Sequence, residues 1–147
     1  MTESLFRHIL VPTDGSQHSV AAGRLAVKLT TTQKARLSFI YIVDETVAEE
    51  LASASGRTSD QVQAELKLSG QRYLDYLCRA ALEAGLKSEQ VIRYGAPSEE
   101  IAAYARDQKV DLIIIGHVGR RSSPHVLLGR VTERVIEFAP CPVLVVK

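Results

Sequence analysis

Asp111-Leu112-Ile113-Ile114-Ile115-Gly116-His117-Val118-Gly119 runs from an apolar, Ile-rich stretch straight into a Gly-x-x-Gly turn. Gly129 follows with nine residues between it and Gly119, just ahead of a helical pattern that begins near Val131. Glycine spacing of this kind recurs by chance, so its weight comes from its place between a buried-type strand and a helix. A phosphate needs several backbone N–H groups at short range, and glycine lets the chain approach without a Cβ in the way. The helix that follows adds unpaired N–H groups and the positive end of its dipole. Between Gly116 and Thr132 the chain carries Arg120, Arg121, Arg130, His117 and His125 and no Asp or Glu. The loop reads as a cationic phosphate cradle; the plainer reading makes Gly116 and Gly119 a strand-to-helix turn and Gly129 a helix cap.

Working outward, short Val- and Ile-rich runs recur at His8–Val11, Arg36–Val43, Gln90–Tyr94, Asp111–Ile115 and Val143–Val146. Such runs predict strands covered on both faces. Helical patterns alternate with them. The first spans about Ser16 to Thr30, with Val20, Leu25, Ala26 and Leu29 near one face. The second spans about Ser59 to Ala84, with Val62, Leu66, Tyr73, Leu77 and Ala81 at helical spacing and Gly85 as its stop. A third starts at Pro97 and continues through Ile101 and Ala105, and a fourth carries Val131, Val135 and Phe138 and stops before Pro140. Glu45–Arg57, rich in Ala, Ser and Glu, reads as a loop or frayed helix start. This alternation predicts a single-domain, Rossmann-like α/β fold over residues 1–147, with a five-stranded parallel sheet and helices on both faces. In such sheets ligands bind beyond the carboxyl ends of the strands where the strand order reverses.

Composition narrows the classes. The chain has 147 residues, enough for one buried core, and 18 basic against 17 acidic side chains, so no global field recruits nucleic acid or an anionic membrane. No apolar run approaches the length of a membrane span, and Met1-Thr2-Glu3-Ser4 has neither a basic region nor a long apolar region, so a cytoplasmic location is expected. Cys78 and Cys141 lack metal-type spacing and read as free structural thiols. His8, His18, His117 and His125 fall in no zinc-type pattern, so no protein-ligated metal is expected.

Together, Ile9-Leu10-Val11-Pro12-Thr13-Asp14-Gly15-Ser16, Ile42-Val43-Asp44, Gly95-Ala96-Pro97, the G-x2-G-x9-G loop and Pro140-Cys141-Pro142-Val143-Leu144-Val145-Val146 resemble the universal stress protein family, in its nucleotide-binding branch. The resemblance covers essentially the whole chain. It implies a homodimer and ATP at the C-terminal ends of strands one and four. It places Pro12, Thr13, Asp14 and Ile42 around the adenosine, with Ile115 beneath the base. Gly116, His117, Gly119, Arg120, Gly129, Arg130, Val131 and Thr132 would surround ribose and phosphates. Mg2+ would be held only through the phosphates.

One departure stands out. The family loop usually follows its last glycine with Ser or Thr, and here Arg130 takes that place. Either its planar fork clamps a β- or γ-phosphate, or it points to solvent or fills the phosphate space. Asp14 reads as a nucleoside contact or as a cap for the following helix. Ser122, Ser123 and Thr132 place hydroxyls by the phosphates or simply face solvent. Glu99-Glu100 complements a helix N-terminus rather than forming an acid/base pair.

No Gly-Lys-Ser/Thr element and no nucleophile–base–orienter set is visible, so any hydrolysis should be slow or partner-dependent. The expected function is a dimeric, ATP-dependent stress-response or signalling module, with an unidentified protein partner conceivable. Its alternatives are a nucleotide-free dimeric adaptor and a slow ATP-hydrolysing or adenylyl-transfer enzyme. Such enzymes often carry a His-x-Gly-His element after the first strand, which Thr13-Asp14-Gly15-Ser16 lacks. The apolar Val143–Val146 run at a sheet edge would be covered by its counterpart in a second subunit.

Overall fold

A computed structural model of the chain describes residues 4–122 and 125–147; the readings placed on Met1–Glu3 and Ser123 lie outside the described residues. Ten elements follow in order: β1 (His8–Pro12), α1 (Gln17–Gln33), β2 (Arg36–Asp44), α2 (Glu45–Ser55), α3 (Ser59–Glu83), β3 (Glu89–Gly95), α4 (Pro97–Asp107), β4 (Leu112–Gly116), α5 (Arg130–Phe138) and β5 (Val143–Val146). The strands form one sheet in the order β3-β2-β1-β4-β5, every pair parallel. This is the five-stranded α/β architecture that the alternating pattern predicts.

Period-two alternation sorts the strand residues onto the two faces. Ile9, Val11, Phe39, Tyr41, Val43 and Ile114 pack with Ala22 and Ala26 of α1 and Leu74, Leu77 and Ala81 of α3. Leu10, Ile40, Ile42, Ile113 and Ile115 pack with Ile101, Tyr104 and Ala105 of α4 and Val135 of α5. The chain leaves β1 toward β2 by α1 on one face and approaches β4 from α4 on the other. The loop after β1 leads to α1 on one face and the loop after β4 to α5 on the other, so the strand order switches between these neighbouring strand ends, the place where sheets of this kind form a crevice.

Three expectations are corrected. Glu45–Ser55 is a full helix: the Asp44 carboxylate accepts from the Val47 N–H at its start, and Gly56, in the left-handed region at φ 70°, ends it. It buries only Ala48 and Ala52, too small an apolar stripe to announce itself by periodicity. In α1 the inward face is Ala22, Gly23, Ala26 and Val27, while Leu25 is exposed. The helix lies close on the sheet and small residues serve it better; a Cβ on Gly23 would fall 2.7 Å from a Leu77 methyl. In α5 only Val135 of the apolar trio is buried, and Val131 and Phe138 face outward.

Polar groups anchor the start of the sheet. The Asp111 carboxylate accepts from the Arg7 and His8 backbone N–H groups. The buried His8 ring lies 3.1 Å from the Gln108 carbonyl through Nδ1 and 2.7 Å from Ser38 Oγ through Nε2. A carbonyl can only accept, so Nδ1 carries the proton, and Nε2 competes with the Glu89 carboxylate, 3.2 Å from Ser38 Oγ, for the one Ser38 hydroxyl proton. Burial, aided by the nearby Arg36 charge, lowers its pKa below the ordinary 6.5 despite the opposing Gln108 bond. Both cysteines are free, and burial pushes the Cys141 thiol up to about 11, leaving it protonated and unreactive at neutral pH.

The His8 shift makes folding sensitive to mild acid. Below about pH 6.5 the unfolded chain takes up a proton that the folded chain refuses, so the His8 contribution is full above that value and is lost as pH falls toward the lowered folded pKa. Urea unfolding at about pH 7.5 and about pH 5 should show a smaller drop in stability for His8→Gln than for the wild type. Equal drops would mean that His8 titrates alike in both states.

Candidate functional site

The crevice is built by two loops. The first, from Pro12 to Ser16, leaves β1 with Pro12 and Thr13 buried. Thr13 N–H donates to the Ile40 carbonyl at 2.9 Å, which extends the β1–β2 ladder by one step. The Thr13 hydroxyl donates to Ser19 Oγ at 3.0 Å, and that hydroxyl donates to the Ser16 carbonyl at 2.9 Å. Ser16 caps α1 by accepting from the Ser19 N–H. The cap is thus Ser16 and not Asp14, which leaves the Asp14 carboxylate for another task.

That task is to join the loops. One Asp14 oxygen accepts from the Ser16 N–H at 2.9 Å and the other accepts from the Arg120 N–H at 2.7 Å, across 106 residues of sequence. Gly119 makes this approach possible, because a Cβ there would sit 2.4 Å from Asp14 Oδ2. Arg120 closes the junction from its own side: Nε donates to the Asp14 carbonyl at 3.2 Å, Nη2 donates to the Gly15 carbonyl at 2.8 Å, and the guanidinium lies 5.4 Å from the Tyr73 ring centre. Gly15 has φ 80° and rests directly against that ring, where a Cβ would collide at 2.4 Å.

The second loop starts where β4 ends. Gly116 is buried, and a Cβ on it would fall 2.8 Å from the His18 backbone, so α1 begins immediately above the strand. His117 donates its N–H to the Val146 carbonyl at 2.8 Å, and its ring meets the His18 ring edge-to-face at 4.4 Å. Gly129 N–H donates back to the His117 carbonyl at 2.6 Å, folding the loop into a closed strap. Gly129 is also the N-cap of α5, so no side chain caps the N–H groups of that helix's first turn. The buried Thr132 hydroxyl donates to the Gly116 carbonyl at 2.7 Å and so ties the helix start to the strand end. Ser122 Oγ accepts from the Gly119 N–H at 3.3 Å.

The structure therefore brings Pro12, Thr13, Asp14, Gly116, His117, Gly119, Gly129 and Thr132 around one junction. Ile42 and Ile115 sit at the ends of β2 and β4 on the face that α4 and α5 cover. The Arg120 side chain is directed elsewhere, over Tyr73 on the α1–α3 face. Arg130 is exposed and lines a groove on α5 with Glu133, Arg134, Glu137 and Phe138; Val131 is also exposed. Sequence reading placed Tyr73 among the core positions of α3 and missed its part here, for which an aromatic ring at a helical apolar position gives no signal. Among the described residues no group of three His, Cys, Asp or Glu side chains is placed to hold a metal ion.

The universal stress protein family model matches residues 5–147. The chain belongs to the universal stress protein family. The universal stress protein MJ0531 of Methanocaldococcus jannaschii is 37% identical over 145 residues, covering 99% of this chain and 84% of that protein. YxiE of Bacillus subtilis is 32% identical, covering 97% of this chain and all of that one. The solved structure of MJ0577, another Methanocaldococcus jannaschii member, superposes with a TM-score of 0.84 at 29% identity over 97% of this chain and 96% of that one.

If the Asp14 carboxylate joins the two loops, Asp14→Ala should speed amide exchange at both Ser16 and Arg120 and destabilise the protein by about 1 to 3 kcal/mol. Asp14→Asn should fall between, since its amide oxygen keeps one acceptor. Unchanged exchange at Arg120 in the alanine variant would dismiss the junction.

Proposed function

We propose that this crevice binds an adenine nucleotide, ATP in the first instance, and that the chain acts as a nucleotide-dependent stress-response or signalling module of the cytoplasm, folded as one domain over 1–147. The observation that carries the reading is the closed glycine strap above the β1–β4 switch point, which leads into a helix whose first-turn N–H groups have no side-chain cap. Uncapped N–H groups at the positive end of a helix dipole favour an anion. Ile42 and Ile115, apolar and almost fully buried at the ends of β2 and β4, are the side chains nearest to where a base would lie on the α4–α5 face.

Solved proteins of this fold support the ligand class. They include a universal stress protein in complex with cAMP, one from Archaeoglobus fulgidus with dAMP and one from Arabidopsis thaliana with AMP. Mg2+ would be carried by the phosphates, and nucleotide occupancy would bias the loops toward one arrangement that a protein partner reads.

The second subunit belongs at β5. It is an edge strand, paired only with β4, and its Leu144 is exposed. Pairing with a second copy would cover the open edge. Light scattering on the eluted protein at micromolar concentration should give about twice 16.1 kDa, and a mass of one chain would refute the dimer.

Calorimetric titration of nucleotide-stripped protein with Mg-ATP tests the main reading: saturable micromolar binding is expected. No heat at millimolar ligand would favour the nucleotide-free adaptor. That alternative draws on Arg130, which replaces the usual hydroxyl residue. Arg130 is exposed and shares a groove with Glu133 and Glu137, which favours a side chain that does not grip phosphate, so Arg130→Ser should leave affinity unchanged or raise it severalfold. A tenfold loss, about 1.4 kcal/mol, would instead assign it the clamp.

A further inference from the structure

On the other side of the Pro12–Ser16 loop, between α1 and α3, lies a second cleft of about 280 Å³ lined by Thr13, Gly15, Val20, Arg72, Tyr73 and Tyr76. It opens on the α1–α3 face, whereas Ile42 and Ile115 belong to the α4–α5 face. Its walls are largely apolar: the rings of Tyr73 and Tyr76 and the Val20 side chain. Three guanidiniums surround it. Arg72 is part of the lining, Arg24 donates to the Tyr76 hydroxyl at 2.9 Å, and Arg120 lies over the Tyr73 ring.

The charge around this cleft is unbalanced. Among the described residues, the ion pairs are formed by Arg36, Arg57 and Arg93, and none involves Arg24, Arg72 or Arg120. The sequence of α1 contains no Asp or Glu. Of the nearby carboxylates, Asp14 accepts from the Ser16 and Arg120 backbone N–H groups, and Asp75 accepts from Gln71 and Gln90. Neither answers the three guanidiniums.

Aromatic faces offer stacking to a planar ring, and guanidinium forks offer paired N–H donors to phosphate or carboxylate. The volume lies near the lower end of the range for small-molecule sites, roughly 300 to 1,000 Å³, too small for a folded segment. We propose that the α1–α3 cleft is a second ligand site, separate from the crevice, for a small planar aromatic anion whose ring lies against Tyr73 and Tyr76 and whose anionic group is held by Arg72 and Arg24. The Pro12–Ser16 loop borders both, and Arg120 reaches it from the loop after β4 through the carbonyls of Asp14 and Gly15. The proposal does not rest on nucleotide binding, so loss of the Mg-ATP reading leaves it standing.

Phenyl phosphate is the probe, with phenol and inorganic phosphate as its separate halves, followed by amide chemical shifts in the isotope-labelled protein. Saturable shifts at Val20, Arg72, Tyr73 and Tyr76 are expected, with phenyl phosphate binding at least about tenfold tighter than either half. Arg72 and Tyr76 are exposed, so Arg72→Gln and Tyr76→Ala should fold normally. Each should weaken the probe about tenfold while leaving Mg-ATP titrations unchanged. The proposal is overturned if shifts fall instead on Ile42, Ile115 and Gly116, if phosphate alone binds as well as phenyl phosphate, or if no saturable shift appears up to about 10 mM. Unaltered probe affinity in both variants would overturn it equally.

Discussion

One carboxylate shared by two backbone amides holds the crevice together. Asp14 takes a hydrogen bond from Ser16 on its own loop and another from Arg120 on the loop after β4. The parallel sheet brings the ends of β1 and β4 side by side, but ladder bonding stops at the strand ends and leaves the emerging loops unattached. An ionised acceptor forms hydrogen bonds roughly twice as strong as a neutral one, so a single side chain can fix the relative position of the two loops. The rest of the junction depends on it. Gly119 has no Cβ because the carboxylate occupies that space, and the Arg120 side chain returns to the carbonyls of Asp14 and Gly15 once its own N–H is held.

Backbone proximity is the second constraint, and it acts on both sides of the sheet. Gly116 lets α1 begin above β4, and Gly15 lets the first loop lie on the Tyr73 ring. Thr132 completes the frame from the far end of the strap, donating its buried hydroxyl to the Gly116 carbonyl. A buried hydroxyl without a partner would cost about 1 to 3 kcal/mol, so this bond fixes where α5 starts. The start of α5, which no side chain caps, is thereby held against the end of β4 beside the switch point. The fold thus supplies position, and the side chains that chemistry would need sit at a small number of strand ends.

Much of this was legible from residue order. All five strands fall where the apolar runs predict them, but only β1, β2 and β4 are buried on both faces as expected, while the edge strands β3 and β5 stay partly exposed. Helix α2 was not legible, since it buries only two alanines; its signals were Asp44 as N-cap and Gly56 as stop, which bracket a segment without periodicity. The inward face of α1 was misread for a related reason. Leu25 outranks Ala22 by hydrophobicity, but close packing against the sheet selects for small volume. At the site, the glycines and Asp14 were visible, and the partner of Asp14 was not. No local rule links residues 106 apart, and Arg120 donates through its backbone, which sequence does not distinguish from any other.

The same distinction separates the two arginines of the loop. Sequence reading set both beside the phosphates because both lie in a cationic stretch that lacks acids. The structure gives them different surroundings. Arg120 is held by two carbonyls and an aromatic face, an arrangement that orders a side chain otherwise costly to immobilise. Arg130 stands in the first turn of α5, where the helix dipole opposes a cation by about 0.3 to 1 kcal/mol. It is exposed and lines a groove on the flank of α5 with Glu133 and Glu137. Two arginines of one cationic loop are thus given different settings, one fixed on the α1–α3 face and one exposed on the flank of α5.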